Sequence, residues 1–174
     1  MKDDIDSIRE LISDKENLSG SYRSWLEIED ITSSAPYQIP NVRIFRGCYM
    51  LNKDPVPYSQ WVIVGSDKIY EDMADVLKQL NIIPKSKEEA LKLARLIIFA
   101  KDRNSNIYPD LDTDTRERYK NILNEPEVSE KENYYEIVLF VSWIKEVKGL
   151  CAGKYTFKIG KNYYDEELEI VSLD

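Results

Sequence analysis

Histidine is the residue that this sequence lacks, since none of its 174 residues is a histidine. Histidine has the side-chain pKa nearest neutrality, and it serves most often as general base, proton shuttle and transition-metal ligand. Its absence excludes Ser-His-Asp and Cys-His catalytic groups and every zinc site that uses histidine. Catalysis would have to depend on carboxylates, lysine, tyrosine or a hard metal ion, so the composition favours a protein that is not an enzyme.

Cysteine is scarce as well, because the chain has only Cys48 and Cys151 and no Cys-x-x-Cys pair. Two thiolates cannot form a four-cysteine zinc site. Buried free thiols are favoured over a disulfide between the two residues, which would be unusual in a reducing cytoplasm. The sequence leaves open whether the two residues are close to each other.

Positive charge is in deficit, with 24 Lys and Arg residues against 32 Asp and Glu residues and a formal net charge of −8. Nucleic-acid binders usually carry a basic face, because neutralised phosphates supply most of their affinity. No basic run is present in this sequence. The charge therefore predicts no nucleic-acid partner and favours a basic protein or a cation.

Long apolar runs are missing too. The longest strongly apolar run, at residues 96–100, is far shorter than the roughly 20 residues that a membrane-spanning helix needs. The N-terminal sequence MKDDIDSIRE has acidic residues where a secretory signal carries positive charge. We expect a cytoplasmic protein that does not contact a membrane.

The apolar residues that are present, 43% of the chain, suffice for one core, so we expect a single domain over residues 1–174. Periodic apolar positions predict helices at about 3–13, 67–81 and 87–101 and a short helix at about 115–123. Ser66 is the expected N-cap of the second helix. Ser86 and Glu89 have the spacing of a capping box at the start of the third.

Strand-like segments lie on both sides of these helices, within residues 22–65 and within residues 134–173. In the run KYTFKI, Tyr155, Phe157 and Ile159 alternate with polar residues, which is typical of a half-buried strand. The sequence predicts an α+β fold, with antiparallel strands before and after a central group of helices and a C-terminal three-stranded meander. Residues 124–133, with a proline and four glutamates, are expected to form a loop. Strand order, and whether the strands form one sheet or two, stay open.

Three aspartates at alternate positions, Asp110, Asp112 and Asp114, are the candidate metal ligands. An EF-hand loop that begins at Asp110 would need glycine at its sixth position and glutamate at its twelfth. The sequence has Thr115 and Asn121 there. A loose Ca²⁺ or Mg²⁺ site is the one cofactor that these residues suggest.

The start of a helix is the favoured interpretation of the same aspartates. Asp114 and Glu117 have capping-box spacing ahead of the apolar positions of the predicted short helix. Asp112 adds negative charge where the helix dipole favours it.

Aromatic residues are plentiful, with 12 tyrosines and 3 tryptophans. Tyrosine and tryptophan are enriched at binding hot spots. The three tryptophans lie within strand-like runs and are expected in the core: Trp25, Trp61 and Trp143. Four tyrosines at the ends of predicted strands are candidate partner-binding residues: Tyr134, Tyr135, Tyr163 and Tyr164.

Glu167 and Glu169 are two further candidate partner-binding residues. They belong to a group of carboxylates in the last strand-like run, together with Asp165 and Glu166. Paired carboxylates perform acid–base catalysis only where a pocket separates their pKa values, and this run has the pattern of a solvated strand face. The two glutamates are therefore expected to contact a basic partner.

These observations favour a non-enzymatic protein–protein interaction domain for a basic partner, such as a regulatory adaptor or an inhibitor of the immunity type. One alternative is a divalent-cation-dependent hydrolase or cation-binding domain that uses the three aspartates. Another is a small-ligand pocket between the helices and the sheet, lined by tyrosine and tryptophan. The oligomeric state stays open.

Overall fold

Helices and antiparallel sheets make up the computed structural model of the chain, which supports the predicted α+β class. The structure describes residues 2–48, 50–51, 54–55, 59–65, 68–101, 106–107, 113, 117, 120–121, 124–145, 149–161 and 163–173. The chain divides into two units, Met1–Val76 and Leu77–Asp174. The single domain predicted for residues 1–174 stays a prediction.

The first unit combines two helices, a 3-10 turn and short strands. The helices are α1 (Lys2–Lys15) and α2 (Ser21–Trp25), and the 3-10 turn is Thr32–Ser34. The strands are β1 (Glu27–Asp30), β2 (Val42–Cys48), β3 (Met50–Leu51), β4 (Asp54–Pro55), β5 (Ser59–Val64) and β6 (Lys68–Tyr70). An antiparallel sheet has the order β1-β2-β5-β6, and β3 pairs with β4 separately.

The core of this unit lies between α1 and the four-stranded sheet. Ile8 and Ile12, one helical turn apart, pack with Phe45 and Trp61, and none of the four is more than 4% exposed. Trp61 therefore lies in the core as predicted. Its indole Nε1 donates a hydrogen bond to Glu16 Oε1 at 2.9 Å, so the buried indole N–H has an acceptor.

Asp30 is the centre of a hydrogen-bond network in the first unit. Its Oδ1 accepts hydrogen bonds from the Thr32 backbone N–H at 3.0 Å and the Thr32 hydroxyl at 2.5 Å, which closes the turn after β1. Its Oδ2 accepts hydrogen bonds from Arg43 Nη2 at 2.8 Å and Nε at 3.0 Å, and Arg43 also donates to Asp4 of α1 at 2.7 Å. Burial raises the pKa of Asp30, but the hydrogen bonds from Thr32 and Arg43 outweigh burial, so the pKa lies below its usual value of 3.8.

We expect Asp30→Asn to lower the free energy of unfolding by about 1–3 kcal/mol at neutral pH, because the charge that binds Arg43 is lost. Since the folded-state pKa of Asp30 is lowered, its stabilising effect is present above the unfolded value and is lost as the pH falls through the folded value. Urea unfolding over a pH series should show a difference between wild type and variant that shrinks below about pH 4. Glu10→Gln, at an exposed carboxylate of α1, is the control. A difference that stays constant down to about pH 2 would contradict the network.

The predicted helix at 67–81 is wrong in its first part. Residues Lys68–Tyr70 form β6, which pairs with β5, and Ile69 packs against the core. The helix α3 covers only Met73–Gln79. Ser66, the expected N-cap, lies outside the described residues. At the start of α3, Asp72 Oδ1 accepts a hydrogen bond from the Ala74 N–H at 2.8 Å. Pairing with β5 provides hydrogen-bond partners for the backbone N–H and C=O groups of residues 68–70. These residues therefore do not need to be helical to satisfy their backbone groups.

The prediction that Trp25 lies in the core is wrong. Residues 22–25, expected to be extended, belong to α2, and the Trp25 side chain is 47% exposed instead of buried. It forms an edge-to-face pair with Tyr22, with ring centroids 5.8 Å apart. The neighbouring Leu26, 1% exposed, fills the core in its place. The third tryptophan expected in the core, Trp143, has a side chain outside the described part of the chain.

The second unit combines the helix α4 (Lys87–Lys101) with long strands. The strands are β7 (Asn106–Ile107), β8 (Glu127–Glu130), β9 (Tyr134–Lys145), β10 (Gly149–Gly160) and β11 (Tyr163–Leu173). They form one antiparallel sheet in the order β11-β10-β9-β7, in which β8 also pairs with β9. The strands β9, β10 and β11 are the predicted three-stranded meander, here within a five-stranded sheet.

The helix α4 begins at the predicted capping box. The Glu89 N–H donates a hydrogen bond to Ser86 Oγ at 3.2 Å, and Glu89 Oε2 accepts one from the Lys85 N–H at 2.8 Å. The helix contacts β8, β9 and β10. The core of this unit includes buried α4 residues such as Leu93 and Ile97 and buried sheet residues such as Leu139, Phe157 and Ile159.

Residues 124–133, expected to form a loop, contain a strand instead. Glu127–Glu130 is β8, and Val128 and Ser129 are half-buried where they pair with Ile137 and Glu136 of β9. This pairing provides hydrogen-bond partners for part of the β9 edge that a loop would have left open. The predicted short helix at 115–123 lies mostly outside the described residues. Within that range Glu117 is helical, and so is Thr113 just before it.

Candidate partner-binding surface on the five-stranded sheet

The register of the meander brings the four candidate tyrosines to one end of the sheet. Two of them begin β9 and two begin β11, and the antiparallel pairing places all four beside the end of β10. They occupy two neighbouring cross-strand rows, Tyr134–Gly160–Tyr163 and Tyr135–Ile159–Tyr164. Three of the side chains are half-buried: Tyr134, Tyr135 and Tyr164.

Gly160 allows the chain to pack closely at this end. A Cβ atom at this position would lie 2.3 Å from the Asn133 carbonyl oxygen and 2.6 Å from the Tyr134 Cα. Both neighbours are backbone atoms, which cannot move aside as a flexible side chain can. The absence of a side chain at Gly160 therefore allows the turn between β8 and β9 to lie directly against β10.

A groove of about 280 Å³ lies beside the tyrosine rows. It is lined by Ile83, Pro84, residues 130–135, Gly160 and Lys161. The lining mixes tyrosines with charged residues of both signs, and its described residues include no tryptophan. This groove therefore differs from the apolar pocket, lined by tyrosine and tryptophan, that the small-ligand hypothesis predicted. The small-ligand hypothesis stays a prediction.

Tyr164 connects β11 to the segment that follows α3. Its hydroxyl donates a hydrogen bond to the Ile82 carbonyl oxygen. Burial raises the pKa of Tyr164 above its usual value of 10.0. The Tyr164 hydroxyl is therefore protonated at physiological pH. Its hydrogen bond to Ile82 holds the start of β11 in place.

The outer strand β11 carries the candidate glutamates. Successive residues of a strand face opposite sides of the sheet. Asp165, Glu167 and Glu169 therefore share one face, and we call these three exposed residues the acidic row. Leu168 and Ile170 share the other face and are 42% and 46% exposed, and we call them the apolar edge pair.

Charges alternate across the strands on the face of the acidic row. One cross-strand row reads Glu136–Lys158–Asp165, and another ends with Lys154–Glu169, whose Nζ and Oε2 atoms are 3.9 Å apart. On the opposite face, Glu166 forms an ion pair with Lys101 of α4. The two ends of the acidic row thus lie beside lysines of β10, and opposite charges side by side stabilise a sheet.

The sequence proposed the tyrosines and two of the glutamates as candidate partner-binding residues, and this stays a prediction; it did not propose the apolar edge pair. Alternation of acidic and apolar residues in EELEIV was the available signal, since it predicts one polar and one apolar face. That signal could not show that the apolar face is exposed. Exposure follows from the position of β11 at the edge of the sheet, which depends on the strand order.

The candidate metal ligands Asp110, Asp112 and Asp114 lie outside the described residues. Within the part of the chain that the structure describes, no three His, Cys, Asp or Glu side chains are grouped so that they could hold a metal ion. Cys48 and Cys151 are not joined in a disulfide, and the first is half-buried and the second buried.

Known proteins provide no relative for comparison, since no family model, no curated protein and no solved structure matches the chain. No described helix has both the length and the apolar character needed to cross a membrane. The function of the sheet surface is therefore inferred from its own chemistry.

Tyr164→Phe should lower the free energy of unfolding by about 1 kcal/mol, because it removes the hydrogen bond to Ile82. Tyr135→Phe, at the other end of the same row, is the matched control, since the described residues provide no hydrogen-bond partner for the Tyr135 hydroxyl. Its effect should stay within about 0.5 kcal/mol.

The contribution of Tyr164 should also depend on pH. Because its folded-state pKa is raised, the contribution is complete below the unfolded value of 10.0 and is lost as the pH rises through the folded value. Urea unfolding at pH values near neutrality and above 10.0 measures both effects. Equal losses in the two variants near neutral pH would show that the hydrogen bond does not stabilise the unit.

Proposed function

We propose that the chain is a non-enzymatic protein-binding domain that holds a basic partner protein on the five-stranded sheet. The observation that supports this most is β11, an exposed outer strand that carries the acidic row on one face and the apolar edge pair on the other. The acidic row attracts cationic side chains, and the apolar edge pair offers area that a partner can cover. In this proposal the chain is a regulatory adaptor or an inhibitor of the immunity type, and its target is the basic partner.

The two features of β11 contribute differently to binding. Exposed charges accelerate association and select the sign of the partner, but screened ion pairs at a surface add little affinity. Apolar and aromatic side chains that become buried supply most of the free energy of binding. Leu168, Ile170 and the tyrosine rows would provide that second contribution.

The net charge of −8 acts in the same direction as the acidic row. The negative field of the chain raises the association rate of a basic partner above that of a neutral one. This increase in rate becomes smaller at high salt, because salt shortens the range of the field. The proposal keeps the cytoplasmic location predicted from the sequence, a compartment in which cysteines that are not joined in a disulfide, such as Cys48 and Cys151, persist.

Affinity capture from an extract of the native host tests the proposal. The immobilised wild-type chain should retain a basic protein in a stoichiometric amount at low salt and release it at about 0.5 M salt. Glu167→Gln combined with Glu169→Gln should reduce the retained amount about tenfold, because both charges belong to the acidic row.

Glu10→Gln combined with Glu125→Gln is the matched control, since it removes the same charge from exposed positions outside the sheet. The control should retain as much partner as the wild type. Two results would contradict the proposal: no stoichiometric partner at low salt, or equal losses in the site variant and the control.

A further inference from the structure

The outer strand β11 has backbone groups that its own sheet does not use. Its pairing with β10 is regular from Tyr163 to Ile170, and the register shifts only beyond Ile170. Among the described strands, β11 pairs with β10 alone. In an antiparallel pair, the N–H and C=O groups of alternate residues point away from the partner strand. The regular part of β11 therefore presents a row of donors and acceptors at the edge.

The charges across the sheet indicate which side chains would fit beside this edge. From β9 through β10 to β11, the charges in one row run negative, positive, negative, at Glu136, Lys158 and Asp165. In a second row the β9 residue is the uncharged Phe140, and the charges of β10 and β11 are again positive and negative, at Lys154 and Glu169. A strand added outside β11 would place its side chains on this side of the sheet next to the acidic row. These side chains should therefore be lysine or arginine.

The opposite face indicates apolar side chains at the positions between them. There, the rows Leu139–Tyr155–Leu168 and Val141–Gly153–Ile170 run from the buried centre of the sheet to the exposed apolar edge pair. Leu139 and Val141 are fully buried, whereas Leu168 and Ile170 are nearly half exposed. A strand beside β11 with apolar residues on this face would extend both rows and cover the apolar edge pair.

We infer that the partner binds by adding a strand to the outer edge of β11, and that this strand alternates basic with apolar residues. This inference rests on the proposed function and specifies how the partner is held. Backbone hydrogen bonds to the edge supply affinity, and the alternating side chains supply specificity. The regular part of β11, at roughly 3.3 Å per residue, accommodates a segment of about six to eight residues.

A second copy of the chain does not fit this edge in an antiparallel arrangement. In an antiparallel pair of two β11 strands, each acidic row would lie beside the other, and like charges directly opposite each other destabilise a sheet. The acidic row thus accepts a basic strand and opposes self-association through the same edge.

A synthetic peptide of defined sequence tests the inference directly. The probe is the blocked octapeptide Thr-Val-Lys-Val-Lys-Thr-Lys-Thr, whose lysines alternate with uncharged residues. A peptide with glutamate in place of each lysine is the charge control. Isothermal titration at low salt should detect binding of the lysine peptide to the full chain, and binding of the glutamate peptide should be weaker by about tenfold or more. The combined variant Glu167→Lys, Glu169→Lys should reverse this preference.

Backbone methylation separates strand addition from simple charge attraction. Two further lysine peptides carry N-methyl groups on alternate residues, one on the odd and one on the even positions. If the peptide forms a strand on β11, only one pattern blocks the hydrogen bonds that face the edge. That pattern should weaken binding about tenfold, and the other should change it less than about threefold.

The outcomes distinguish the inference from the proposed function. Equal affinity of the unmethylated and both methylated lysine peptides would overturn strand addition and leave charge-based binding of a basic partner intact. Unequal methylation effects with reversal in the lysine variant would support both. No difference between the lysine and glutamate peptides would contradict the basic partner itself, and with it the strand that we infer.

Discussion

The register of the three long strands β9, β10 and β11 is the constraint on which the candidate surface depends. A shift by one residue would turn every side chain of a strand to the opposite face of the sheet. In β10 it would expose Phe157 and Ile159, which are now buried, and in β11 it would exchange the acidic row with the apolar edge pair. Gly160 helps to fix the register, because only a residue without a side chain tolerates the backbone of Asn133 and Tyr134 at that distance.

The acidic row reconciles two requirements of an outer strand. An exposed edge is a template for unwanted pairing, and charged residues are a common means of preventing it. The same charges select a partner of the opposite sign, so protection and recognition need not compete. The apolar edge pair is tolerable at an exposed edge because Glu167 and Glu169 lie beside it along the strand.

Local signals in the sequence predicted part of this arrangement. The alternation in KYTFKI predicted the half-buried strand, and Ser86 with Glu89 predicted the start of α4, because both signals act within a few residues. The strands β6 and β8 were missed, since each is stabilised by pairing with a neighbour instead of by its own composition. The sequence could propose Tyr134, Tyr164 and Glu167 as site residues, but their common location depends on strand order, which arises from long-range pairing.

Backbone amide hydrogen exchange on the free protein, resolved by residue, tests most directly whether β11 is an open edge. Between Tyr163 and Ile170, amides that point toward β10 should exchange slowly and the intervening amides quickly, which gives an alternation with a period of two residues. Slow exchange at every residue would show that the outer edge is already paired, and fast exchange at every residue would show that β11 is not held by β10. Either result would contradict a strand that waits for a partner.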